Sequence, residues 1–306
     1  MSISFRFAGA VALAVMLAAP SPSYAQKLLR YKFNPGQTHR YAITQKMVQS
    51  VATPERTVKI TLTQTMDTRQ KTDAVDTEGV ASVTQTVERV RMDMDLPQGR
   101  TVHYDSAAKE APEGIAKAYA TAVGGMVNQP IQMKLTPRGE TRKIELPPEA
   151  LAQLKKAAGA AADIAAPENL TQLTNLAIFP EEPVSVGDTW NHQATITNPA
   201  FGKLLIQTTY RYQGEEIRQG RKLDKISSSM TLKFADKGAL AAMNIKAQEG
   251  QGTIFFDPAL GQIVESASTT RIKMAASVAG MTLDQDMEIS TDVKLQPAEA
   301  PPSAKP

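Results

Sequence analysis

Met281-Thr282-Leu283-Asp284-Gln285-Asp286-Met287-Glu288-Ile289-Ser290-Thr291-Asp292-Val293-Lys294-Leu295 alternates along its whole length. Odd positions carry Met281, Leu283, Gln285, Met287, Ile289, Thr291, Val293 and Leu295; Asp284, Asp286, Glu288, Asp292 and Lys294 fall between them. Successive side chains of a strand point to opposite faces, so this period predicts one long strand with a covered face and a wet one. A helix would scatter the same residues around its circumference. Strands with one wet face belong to antiparallel sheets.

The same period extends outward from this stretch. Before Ala279-Gly280, Ile272, Met274, Ala276 and Val278 share a face. Further upstream, Ile226, Ser228, Met230, Leu232 and Phe234 alternate, as do Leu204, Ile206, Thr208, Tyr210 and Tyr212. The first half repeats the pattern in Tyr41, Ile43, Gln45 and Met47, and again in Val58, Ile60, Leu62, Gln64 and Met66. A third run starts on odd numbers with Val83, Gln85 and Val87, then switches to even ones at Val90, Met92, Met94 and Leu96. A one-residue slip turns every side chain over, so the strand keeps its face only through a bulge near Glu88-Arg89. The fold class expected is mainly β: long bent antiparallel strands in two similar halves, with a few short covering helices. Short matches such as Gly36-Gln37-Thr38 with Gly187-Asp188-Thr189 suggest an internal duplication. The halves are expected either as two curled sheets side by side or as one shared half-open barrel.

The segments outside this pattern set the domain boundaries. Residues 1–25 have a basic start at Arg6, an apolar run from Ala8 to Ala19 and a small-residue site at Ser23-Tyr24-Ala25, the layout of an export signal. The run is too short to span a bilayer, and no later stretch reaches that length without a charge. The protein is therefore expected outside the cytoplasm, in the periplasm or medium, with no transmembrane segment after removal of the signal. An N-terminal β half (26–146), a helical linker or cover (147–182), a C-terminal β half (183–295) and a disordered Pro/Ala tail (296–306) follow. Helices are predicted from Pro147-Pro148-Glu149 through Ala158, at Ile115 to Val123 before Gly124-Gly125, and within Asn169 to Ile178.

Little in the composition supports catalysis. The 306 residues hold 34 Lys+Arg against 31 Asp+Glu, three histidines and no cysteine. The absence of cysteine removes disulfides, thiolate zinc sites and thiol nucleophiles together, and the small net charge leaves no nucleic-acid footprint. His39, His103 and His192 are far apart in sequence, so no metal site is expected. The carboxylates Asp284, Asp286 and Glu288 read as a solvated strand face. No nucleophile elbow is present, and Glu249-Gly250-Gln251-Gly252 reads as a loop leading into a strand. Asn169-Leu170-Thr171 matches a glycosylation triplet. The protein is expected to be no enzyme and to carry no cofactor.

Two side-chain types mark the covered faces. Nine methionines, among them Met47, Met66, Met92, Met94 and Met287, fall in predicted strands; Gln45, Gln64, Gln85 and Gln285 each sit between apolar neighbours on the same faces. Methionine adapts to irregular apolar partners, whereas a buried amide without a partner costs roughly 1–3 kcal/mol. Their combination points to a concave, partly wet face that binds a lipid or another apolar small molecule. These residues and Trp190, the only tryptophan, are the candidate ligand-binding set. The alternative is a structural component of the cell envelope that meets another protein and holds no small molecule.

Three blocks carry a family resemblance. Leu29-Arg30-Tyr31-Lys32-Phe33 with Pro35-Gly36-Gln37 and Arg40-Tyr41, then Leu135-Thr136-Pro137-Arg138-Gly139-Glu140, then Val186-Gly187-Asp188-Thr189-Trp190 resemble a family of secreted bacterial proteins of unknown function. The resemblance implies export and a β-rich fold, and it brings no catalytic residues.

Overall fold

The computed structural model describes residues 26–52, 56–158, 166–175, 177–198, 202–236, 243–278 and 281–297. The expected export signal and most of the Pro/Ala tail lie outside them, as do Ala279 and Gly280. In chain order the elements are β1 (Thr38–Ala52), β2 (Thr57–Val75), β3 (Ala81–Asp95), β4 (Thr101–Asp105), α1 (Gly114–Gly124), β5 (Pro130–Leu135), β6 (Thr141–Glu145), α2 (Pro148–Ala158) and α3 (Pro167–Leu173). Then follow β7 (Thr189–Asn198), β8 (Gly202–Arg218), β9 (Arg221–Asp236), β10 (Met243–Asp257), β11 (Gln262–Val278) and β12 (Met281–Leu295).

All twelve strands join one open antiparallel sheet in the order β6-β5-β3-β2-β1-β12-β11-β10-β9-β8-β7, with β4 beside the far end of β3. The halves expected from the sequence therefore share a single sheet, fused where β1 pairs with β12 (Ile43 opposite Val293, Met47 opposite Ile289). The chain is a meander whose first and last long strands meet. Its opening consequently falls between β6 and β7, which are consecutive in sequence, and the segment connecting them has to cover the gap.

The pairing keeps the alternating runs on shared faces. Leu62, Gln64 and Met66 lie opposite Met94, Met92 and Val90, and they face the same side as Gln45 and Met47 on β1. The bulge falls as expected: Asp67 pairs with Arg89 and Thr68 with Val87, leaving Glu88 unpaired. The Glu88 carboxylate then accepts bonds from Arg69 Nε (2.8 Å) on the adjacent β2 and Arg40 Nε (3.1 Å) on β1 beyond it. Further bulges in β8, β10 and β11 add bend.

Glu249-Gly250-Gln251-Gly252 lies inside β10, not in a loop before it. A Cβ on Gly252 would stand 2.6 Å from Ser228 Oγ and 3.2 Å from the Ala267 carbonyl oxygen. Strand-interior glycine here marks close approach of the neighbouring strands. The helix expected within Asn169 to Ile178 is α3, which starts two residues earlier, at Pro167, and stops at Leu173. The reason is the core: Ile178 and Phe179 are buried, and Phe179 N donates to the Arg138 carbonyl, so this stretch must leave the helix.

One end of the folded sheet is filled by two segments without regular structure. Residues 27–33 enter across the sheet, with Lys27 and Val184 exchanging backbone bonds, Tyr31 N donating to Pro137 O (2.8 Å) and Lys32 N to Gly261 O (3.0 Å). Gly261 has φ +67 and a Cβ there would meet Lys32 backbone N at 2.5 Å, so only glycine fits. Leu29, Tyr31, Phe179 and Val184 pack there against Tyr210, Tyr212, Ile226, Ile254 and Phe256. A second core, Ala81, Val83, Ile131, Met133 and Leu135, lies between β3 and β5, and Phe33 touches both.

Candidate functional site

The gap between the edge strands is bridged by α3 and the residues after it. Asn169, buried on α3, sends Nδ2 to Thr197 O (2.7 Å) and takes Thr197 N on Oδ1 (3.0 Å), pairing with the free edge of β7 as a further strand would. On the other side, Thr141 of β6 donates its N–H to Asn175 Oδ1 (2.8 Å) and its hydroxyl to Thr174 O (3.1 Å). The Asn169-Leu170-Thr171 triplet is thus an edge clamp, with its amide nitrogen already engaged.

Behind this bridge the sheet walls a half-open cavity of about 470 Å³, within the range typical of small-molecule sites. One wall comes from Tyr41 and Ile43 of β1, Thr68 and Gln70 of β2, Gln85 of β3, Ile131, Met133 and Leu135 of β5 and Ile144 of β6. The opposite wall is more polar: Thr208 and Tyr210 of β8, Ser228 of β9, Gly252 and Ile254 of β10, Gln262, Ser266 and Ser268 of β11. Tyr31 floors it, and Thr174 and Asn175 stand at the gap. Small residues make the space. Ser228, Gly252 and Ser268 are successive cross-strand partners, so three neighbouring strands present almost no side-chain bulk at one level.

None of the lining residues carries a charge. Burial pushes the Tyr31 phenol well above its usual pKa and raises Tyr41 and Tyr210 too, so all three stay neutral. Several lining polar groups have partners within the protein. Tyr31 OH donates to Ala177 O (3.1 Å), Tyr41 OH to Gln262 Oε1 (3.2 Å), and Gln262 Nε2 to Lys32 O (2.8 Å). Gln70, Gln85, Thr208, Ser228, Ser266 and Ser268 have no side-chain hydrogen bond among the described residues; of these, Gln70 and Gln85 are direct cross-strand partners, with Gln85 also opposite Ile131.

Of the ten residues singled out from sequence, only Gln85 lines this cavity. Gln45, Met47, Gln64, Met66, Met92, Met94, Gln285 and Met287 are brought together on the same sheet face, across β3, β2, β1 and β12, but farther along the strands. Met92 is buried, Gln64 accepts a bond from Tyr119 OH of α1 (2.6 Å), and Gln45 is exposed. The helix α1 therefore covers part of that sector. Trp190 stacks on Tyr210 (5.5 Å between centroids) and donates Nε1–H to Ile178 O (2.7 Å), so it anchors the plug beside the cavity. Gln70 was legible in principle: it continues the even-numbered face of β2 beyond Met66. Tyr31 and Asn175 were not, because they lie in segments without periodicity.

Two other polar features have structural roles. On the outer face, Asp284, Asp286 and Glu288 pair with Lys246 (2.5 Å), Lys273 (3.9 Å) and Arg271 (2.7 Å). At the plugged end, fully buried Asp224 holds Lys27 Nζ at 2.6 Å and the Tyr212 hydroxyl at 2.7 Å on one oxygen. Burial opposes the Lys27 charge, but Asp224 and Glu215 outweigh it and hold its pKa above the usual value. Among the described residues no three His, Asp or Glu side chains gather as a metal site would need, and no helix is long and apolar enough to cross a membrane.

No protein-family model matches the chain, and no curated protein does either. Among solved structures the fold is similar to part of lipovitellin, in a structure concerned with its lipid–protein interactions. The match has a TM-score of 0.52 and 16% identity, covering 90% of this chain but only 27% of that one. A putative exported protein of Bacteroides fragilis matches at 9% identity over 88% of this chain and 99% of that one, with a TM-score of 0.23. A putative outer membrane lipoprotein-sorting protein domain from Vibrio parahaemolyticus matches at 9% identity, 85% and 87% coverage and a TM-score of 0.13. The last two superpose too loosely to bear on the fold. The chain is thus a mainly β protein with one open antiparallel sheet, similar in fold to about a quarter of lipovitellin.

Proposed function

We propose that this chain is a non-enzymatic binding protein that holds an apolar or amphipathic, lipid-like molecule inside its folded-over sheet. The observation that carries the reading is the uncharged cavity of about 470 Å³ between the two wings of the sheet, behind the α3 bridge. At the ~30 Å³ that a water molecule occupies in the liquid, this is room for a ligand of about fifteen non-hydrogen atoms. The space opens to solvent at the gap, so its uncharged and mostly apolar lining, rather than its volume alone, is what favours an apolar occupant over water. The likeness to lipovitellin, whose structure was described in terms of lipid–protein interactions, supports the reading at the level of fold alone. The export layout of residues 1–25 supports a role outside the cytoplasm.

Native mass spectrometry of protein recovered gently from its own host tests the reading, together with titration by the neutral fluorescent probe N-phenyl-1-naphthylamine. Expected are a released small apolar molecule and saturable, one-site probe uptake. A clean apo mass with no probe uptake would overturn it and favour a role in contact with another envelope protein.

A further inference from the structure

Within the binding reading, on which this inference rests, the chemistry of the lining narrows the ligand class. An amphipath that enters the cavity has to place its polar group somewhere. The apolar wall of Ile131, Met133, Leu135 and Ile144 suits a hydrocarbon chain. Beside it Gln70 and Gln85 stand side by side, and their amides are free of side-chain bonds among the described residues. Each amide offers two N–H donors and a carbonyl acceptor, so the pair can both give and receive hydrogen bonds. A hydroxyl, ester or amide group matches that mixed demand. A carboxylate or phosphate matches only the donors and leaves the acceptors facing like partial charge.

The electrostatics point the same way. The cavity lining includes no lysine, arginine, histidine or carboxylate. An anion inside it would lose hydration with no counter-charge, a state proteins avoid. We propose that the cavity selects single-chain amphipaths with an uncharged hydrogen-bonding head, such as monoacylglycerols or fatty alcohols, over fatty-acid anions and lysophospholipids of equal chain length, with Gln70 and Gln85 receiving the head.

The test compares 1-monodecanoylglycerol with decanoate at pH 8, each displacing N-phenyl-1-naphthylamine from the wild-type chain and from a Gln70→Leu/Gln85→Leu variant. The wild type should bind 1-monodecanoylglycerol at least tenfold more tightly than decanoate. In the variant that preference, taken as the ratio of the two displacement constants, should fall below threefold. Equal wild-type affinities for the two decanoyl compounds would place the head outside the cavity. That would overturn the selection while leaving the binding reading intact, because the probe still binds. A preference that survives in the variant would overturn the assignment to Gln70 and Gln85. Failure of the wild type to bind the probe would overturn both readings, and a variant that misfolds leaves the wild-type comparison decisive.

Discussion

Replacing Asn169 by leucine tests the claim that α3 stands in for a missing strand between β6 and β7. The side chain is 4% exposed and makes two bonds to one residue of the β7 edge, Thr197 N and Thr197 O. Leucine keeps most of the volume and removes both bonds. A backbone hydrogen bond of this kind contributes about 1 kcal/mol net, so the pair contributes about 2 kcal/mol where water cannot replace it. Were water to reach Thr197 freely, the loss would shrink below about 1 kcal/mol. Hydrogen exchange read at Thr197 separates the two cases, because a local loss of about 2 kcal/mol raises the opening equilibrium roughly thirtyfold. The global effect should be a fall in the urea midpoint of about 0.7 M, taking an m-value of about 3 kcal/mol/M. Because α3 is the only element packed on both β6 and β7 among the described residues, probe association should accelerate in the same variant. Unchanged Thr197 protection together with an unchanged association rate would refute the bridge, and with it the view that the connecting segment closes the sheet.

Phe179→Ala removes a fully buried ring stacked on Tyr31 (4.8 Å) and set edge-on to Phe256 (4.9 Å). Denaturant titration should show a loss of about 3–5 kcal/mol; a loss below about 1 kcal/mol would mean that the plug is not part of the core. Lys27→Met strands the Asp224 carboxylate in the interior and should cost about 3 kcal/mol, while adding Asp224→Asn should restore much of it by removing the charge and keeping a partner for Tyr212. Losses that merely add in that double variant would show the pair to be uncoupled. Burial lowers the pKa of both His39 and His192 below the usual 6.5. Below about pH 6.5 the unfolded chain therefore binds protons that the folded chain refuses, and stability should fall as pH drops from 7.5 to 5.5. Thermal scans of His39→Gln/His192→Gln should show a shallower fall; an identical slope would contradict the assignment.

The sheet was legible because strand geometry is local. Two-residue alternation in 281–295 states that a strand forms and which side chains share its face, and the odd-to-even switch after Val87 locates the Glu88 bulge before any partner strand is known. The Met/Gln residues share one sheet face for the same reason. Their distance from the cavity was not legible. Parity assigns a residue to a face, but only bending brings β5 over β10, and the bend depends on bulges and on small residues such as Gly252, whose effect appears once neighbouring strands are in register. Gly250 and Gly252 resembled a loop because glycine is poor in isolated strands; close contact with Met230 and Ser228 is what requires them.

By itself, then, the amino-acid order determined most of the long strands, their wet and covered sides, the helix around 115–123 and the lack of cysteine chemistry. The tertiary structure alone decided that β1 pairs with β12, that the opening lies between β6 and β7, and that Tyr31, Gln70, Asn175 and Ser268 face one space. Side-chain alternation is written into each few residues, whereas closure and enclosed volume arise from pairings between residues up to about 250 positions apart, such as Tyr41 with Leu295, and no local pattern encodes those.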